Sequence, residues 1–255
     1  MSKLTDALSR LVAGKPKTEA HILQALQTKG YYVVPGFLSR DTCATVVADL
    51  ERVLAEQPEK VQHEHAEGTS GDYRVFGAEH ASPPLRDAVA DQPWLRQVGS
   101  EYLHEDIATH FVLWNKVMFT PGQTCNSGAG WHRDSKNQQF KTIVYLTDVT
   151  SANAPFMIVP ASRDVKLDAR EGARTQNRFD DDAVRDFVQR RGVAIDEITG
   201  EAGTCILVDT SHIHRGKDIE AGVRYAATNY YFENTLARRQ VTQNKWGKFL
   251  LKPVA

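Results

Sequence analysis

The chain has 255 residues, enough for one large domain with a sizeable core, or barely two small ones. Its 31 basic and 32 acidic residues leave a net charge of −1, so charge gives no argument for nucleic acid or an anionic membrane as partner. Three widely spaced cysteines without a Cys-x-x-Cys pair exclude a zinc knuckle or disulfide framework and fit a reducing cytoplasm.

No apolar run approaches the ~18 residues of a membrane span, and Met1 to Val12 lacks the pattern of a signal peptide. Met1 to Lys17 reads as a loose leader. Thr18 to Lys29 spaces Ile22, Leu23 and Leu26 on one helical face and stops at Gly30. Tyr31 to Val34 is a short strand closed by Pro35-Gly36. Ser39 is placed to cap a second helix, from Arg40 to about Glu56, whose apolar side carries Val46, Val47, Leu50 and Leu54. Gln57 to Asp72 is polar and reads as a loop. Pro83-Pro84 and Pro93 each open a helical stretch, the second running to about His104.

From Ile107 the texture becomes β-rich. Strands are predicted over 107–120, 141–149, 155–159, 204–209 and 224–232, bounded by Gly, Pro and Asn. A helix over 180–191 interrupts them, with Ala183, Val184, Phe187 and Val188 at helical spacing. The expected molecule is one domain over 1–255. A mostly helical part (1–104) precedes a β-barrel or sandwich (105–235) with an insert (164–200), and a tail follows (236–255). Cupin-like double-stranded β-helices belong to this jelly-roll class.

Within the β region, His132 and Asp134 are two apart after the glycine-rich stretch Asn126 to Gly130. In an extended segment such side chains point the same way, so both reach one cation. A His-x-Asp pair with one distant His is the 2-His-1-carboxylate facial triad of non-haem iron(II), which leaves positions open for O₂ and a co-substrate. His212 and His214 are both candidates for the distal ligand. His214 is preferred because Arg224 then follows it by ten residues, where an arginine clamp for a dicarboxylate is expected. The remaining histidines have no carboxylate at metal-like spacing.

These motifs make the sequence resemble the phytanoyl-CoA dioxygenase family of iron(II)- and 2-oxoglutarate-dependent oxygenases. The resemblance runs through Gly30 to Ser39, Trp131 to Ser135, Asn153 to Arg163, His214-Arg215-Gly216 and Gly222-Val223-Arg224. Ala154, Ala161 and Arg163 stand where that family usually has Gly, Gly and His. The resemblance implies a jelly-roll core with N-terminal helices buttressing one sheet. It implies His132, Asp134 and His214 as ligands of Fe(II), and 2-oxoglutarate chelating the iron with its far carboxylate on Arg224. O₂ is the second co-substrate, and succinate and CO₂ are released. Since related halogenating enzymes have a small residue at the carboxylate position, Asp134 points to hydroxylation, desaturation or ring closure.

Lys116 and Met118 share one strand face, Lys141 lies on the strand after the iron motif, and Thr228 faces the same side as Arg224. All four are candidate co-substrate contacts. Arg74, Arg133 and Arg215 near the expected mouth suggest a polar or anionic small-molecule substrate. The competing reading is a non-oxidative cupin-like metal protein, an isomerase or sugar-binding module.

Overall fold

The computed structural model describes residues 18–63, 71–122, 130–165, 173–175 and 177–252. The leader, the centre of the polar loop after Gln57 and the glycine-rich stretch before Gly130 lie outside the described residues, except for their ends.

Three helices form on the expected patterns: α1 (Ala20–Thr28), α2 (Arg40–Glu56) and α3 (Pro93–Leu103). The Ser39 side chain caps α2 by accepting the Thr42 N–H. Helix α1 stops at Gly30, whose φ of +90° favours glycine. A Cβ there would stand 2.6 Å from the ring of His212, so glycine also admits that buried imidazole.

Seven strands form the larger sheet: β1 (Tyr31–Val34), β2 (Gln62–His63), β3 (Asp72–Phe76), β4 (Ile107–Met118), β5 (Phe140–Tyr145), β10 (Cys205–Asp209) and β12 (Val223–Glu233). Their order is β1-β10-β5-β12-β4-β3-β2. A smaller sheet pairs β6 (Phe156–Ile158) with β9 (Asp196–Ile198) on one side and β11 (His214–Gly216) on the other. All these named strand pairs are antiparallel. The two sheets make the jelly-roll core.

Period-two alternation gives the larger sheet two unlike faces. Val75, Trp114, Ala227, Val144 and Cys205 share a packed cluster with Leu26, Val46, Leu50 and Leu95 of the helices. The other face is read off the register. Asp72, Val117 and Arg224 stand side by side, as do Arg74, Asn115, Ala226 and Tyr145. Further along come Phe76, Leu113, Thr228 and Ile143, then Phe111, Tyr230 and Lys141. The Tyr145 hydroxyl ties the sheets together, accepting the Phe156 N–H and donating to the Ile198 carbonyl.

The insert contains a two-stranded ribbon, β7 (Ala173–Thr175) and β8 (Arg178–Phe179), then α4 (Asp181–Arg191). Phe179, Val184 and Phe187 pack with Trp131, Val159 and Ile213, fixing this part of the insert to the core.

Three expectations need correction. The region Gln57 to Asp72, expected as a loop, contains β2 and the first residue of β3; β2 is too short for an alternation to show. Strand β5 ends at Tyr145, short of 149. The supposed tail contains a helix, α5 (Leu236–Trp246), capped by the Thr235 hydroxyl and seated through Trp246 against Phe111 and Phe232.

Glu79 lies buried behind β4, where a carboxylate oxygen accepts the Val112 N–H at 2.8 Å. Burial pushes its carboxyl up to about 7 against the pull of that N–H. The folded protein therefore binds this proton more tightly than the unfolded chain, and stability from this group falls as pH rises from about 4.5 to about 7. Glu79→Gln keeps an acceptor for Val112. It should remove on the order of 3 kcal/mol of that decline, read as the difference between wild-type and variant urea denaturation at pH 5 and pH 8. Parallel curves would contradict this.

Candidate metal centre and co-substrate site

The Trp131-His132-Arg133 segment is held on both sides. His132 and His214 exchange backbone hydrogen bonds at 2.9 and 2.8 Å, which places the two imidazoles side by side with ring centroids 4.4 Å apart. On its other edge, the segment bonds Asn177 and Phe179 of the insert. Asp134 donates its N–H to the Thr210 carbonyl. The turn carrying Thr210 is organised by the buried Asp209 carboxylate, which receives the Tyr102 hydroxyl, the Gln139 and Ser211 N–H groups and the Ser211 hydroxyl. Asp209 is a positioning residue with no metal-like spacing to reveal it.

One ligand atom from each of His132, Asp134 and His214 lies within 4.8 Å of the others. The tautomers follow from the neighbours. Nδ1 of His132 donates to the Gly130 carbonyl and Nδ1 of His214 to the His212 carbonyl, both at 2.8 Å. A carbonyl only accepts, so each Nε2 keeps its lone pair, and each lies 3.7 Å from an Asp134 oxygen. Burial depresses the proton affinity of both rings, that of His214 to about 3. Burial disfavours the charge on Asp134, but the Lys141 ammonium, 2.7 Å from Oδ2, and then the two imidazoles hold the carboxyl well below its usual range. Two neutral imidazoles and one carboxylate are the donor set a divalent iron takes. His212 is turned away, its Nδ1 on the Asp209 carbonyl and its ring under Gly30.

The cavity beside the triad is lined by Arg74, Asn115, Lys141, Ile143, Tyr145, Arg178, Arg224, Thr228 and Tyr230, among others. Arg224 is buried and donates a short hydrogen bond from Nη1 to the Ala154 carbonyl. Asp72 lies in register across β4, and burial pushes its carboxyl up to about 7 while Arg224 pulls it down.

Lys141, Thr228 and Arg74 thus join the cavity wall, Lys141 engaged by Asp134 and Arg74 by Asp72 at 2.9 Å. Lys116 and Met118 do not. Lys116 is on the helix-facing side, 2.8 Å from Glu51, and Met118 has the same parity. Arg133 is spent on the carbonyls of Ser162, Arg163 and Val165. Arg215 pairs with Asp181 and covers Trp131. Both leave the set of expected substrate contacts. Arg178, in the insert, lacked any sequence signal and lines the cavity.

Ala154 and Ala161, which stand where glycine is usual in the resembled family, have φ of +55° and +54°. A Cβ in that region costs roughly 1–2 kcal/mol. Ala161→Gly should raise stability by about 0.5–1 kcal/mol after the entropy gained by the unfolded chain is subtracted. Chemical denaturation measures it, and a destabilised variant would contradict the strain.

The sequence profile of the phytanoyl-CoA dioxygenase (PhyH) family matches residues 26–226. An ectoine dioxygenase of Bordetella parapertussis is 23% identical over 229 residues, covering 83% of this chain and 71% of that protein. Among solved structures, the α-ketoglutarate-dependent epimerase SnoN superposes with a TM-score of 0.67 at 16% identity, over 84% of this chain and 80% of its own. EctD from S. alaskensis gives 0.65 at 21%, over 86% and 78%. At those identities the structural likeness establishes the jelly-roll fold. The chain belongs to the phytanoyl-CoA dioxygenase family of iron(II)- and 2-oxoglutarate-dependent oxygenases.

Proposed function

We propose that this member of the phytanoyl-CoA dioxygenase family hydroxylates a small polar substrate, with His132, Asp134 and His214 as the ligands of Fe(II) and Arg224 as the anchor of 2-oxoglutarate. The observation that supports this best is the shared cavity: the three ligand atoms and the Arg224 side chain open onto one space. Structures of relatives support the cofactor pair: SnoN is known in complex with Fe3+ and α-ketoglutarate, and EctD with 2-oxoglutarate and 5-hydroxyectoine.

Iron(II) held here, with 2-oxoglutarate and O₂, supplies the oxidising chemistry that ends in succinate, CO₂ and a hydroxylated product. The chain's own residues prepare for it. Carbonyls of Gly130 and His212 fix both imidazoles with Nε2 toward Asp134. Lys141 engages Oδ2 of Asp134 and would keep the carboxylate ionised for a metal. The planar Arg224 guanidinium would suit the far carboxylate of the keto acid, since its fork of donors matches two carboxylate oxygens. Thr228 lies on the same face of β12. Ile143, Phe156 and Tyr145 give the wall an apolar part that limits water. Asp134 fills the carboxylate position, which supports hydroxylation over halogenation.

The test is conversion of 2-oxoglutarate to succinate with Fe(II) and O₂. Turnover that depends on both supports the reading. Metal binding without any succinate would favour the non-oxidative cupin-like alternative.

A further inference from the structure

The charge of the cavity wall is one-sided. Arg74, Lys141, Arg178 and Arg224 face it, whereas among the described residues its acidic lining is Asp134. A divalent metal and a dicarboxylate would add no net charge, so the loaded site keeps a positive surplus.

Arg178 differs in position. It is exposed, lines the cavity and belongs to β8 of the insert. Its backbone is fixed to the metal-binding segment: Phe179 donates its N–H to the Trp131 carbonyl at 3.0 Å, and the Arg133 N–H bonds the Asn177 carbonyl at 2.9 Å. A guanidinium held next to a ligand strand, on the solvent side of the cavity, is placed to meet an entering molecule.

We infer that Arg178 receives an oxyanion of the substrate, a carboxylate or a phosphate ester, and so selects an anionic substrate class. This rests on the oxygenase reading above for the word substrate, but the binding itself is separately testable. A planar fork of donors suits either oxyanion, and a positive cavity with partly apolar walls concentrates anions.

The experiment uses full-length protein loaded with Mn(II) and 2-oxoglutarate, at constant ionic strength. Isothermal titration follows sulfate, standing for a phosphate ester, and propionate, standing for a carboxylate, with propionamide as the neutral probe. At least one anion should bind, and propionamide should not. Arg178→Gln should weaken anion binding about tenfold or more, and Arg178→Lys should restore part of it. Arg185→Gln, on the exposed face of α4 away from the cavity, should bind as the wild type does. Equal anion affinity in wild type and Arg178→Gln, equal binding of propionamide, or no anion binding at all would overturn the inference. Prior titrations of Mn(II) and 2-oxoglutarate alone separate the two readings: their failure counts against the oxygenase, not against the anion site.

Discussion

His132→Ala is expected to abolish turnover of 2-oxoglutarate and to weaken divalent-metal binding by more than about a hundredfold, beyond what loss of an outer partner costs. Asp134→Ala should do the same, with a second effect. Lys141 is buried with its ammonium 2.7 Å from Asp134, and removing that carboxylate strands a positive charge. Breaking such a pair from one side costs about 3–5 kcal/mol. Asp134→Ala should therefore also unfold at lower denaturant, while His132→Ala should not suffer that loss. The double variant Asp134→Ala with Lys141→Met should recover most of the stability and none of the metal affinity. Titration with Mn(II) and urea denaturation measure the two effects. Metal affinity surviving in His132→Ala, or the single and double Asp134 variants being equally stable, would contradict the geometry.

Arg224→Ala is expected to raise the KM for 2-oxoglutarate about a hundredfold. Two charge-assisted hydrogen bonds, on the order of 3 kcal/mol together, give that factor. The effect should fall on KM more than on kcat, because the arginine holds the end of the keto acid far from the metal. Arg224→Lys keeps a charge but cannot span both oxygens, so an intermediate loss follows. A stability effect accompanies the alanine variant. Arg224, with Arg74, draws the buried Asp72 carboxyl down, and without it Asp72 is held protonated to still higher pH. Steady-state kinetics with 2-oxoglutarate varied is the check, and an unchanged KM would remove Arg224 from the clamp role.

Much of this site was legible in the chain. His132 and Asp134 two apart, with His214 ten residues before Arg224, pointed to the three residues that the structure gathers as a candidate metal site. Sequence could not separate His214 from His212, which share a strand parity. The structure separates them through a backbone pairing with His132 and through Gly30, which makes room for the His212 ring. Lys116 and Met118 went wrong by one register step. Alternation says which residues share a face but not which face is inside, and α2 supplied the Glu51 partner that decides it. Arg74 was anticipated near the mouth but on a loop rather than a strand, and Asp72, two residues before it on the same face of β3, belongs to no motif that would reveal it. Arg133 and Arg215, expected at the mouth by sequence proximity to the ligands, have their guanidinium groups turned to carbonyls and to Asp181. Arg178 is brought to the site only by long-range pairing of the insert with the ligand strand.

The most direct test of the account is anaerobic titration of the protein with Fe(II) and 2-oxoglutarate, followed by visible absorption. A weak metal-to-ligand charge-transfer band should saturate at one iron per chain, vanish in His214→Ala and persist in His212→Ala. No band in the wild type, or a band that depends on His212 and not on His214, would contradict a ferrous centre built on His132, Asp134 and His214.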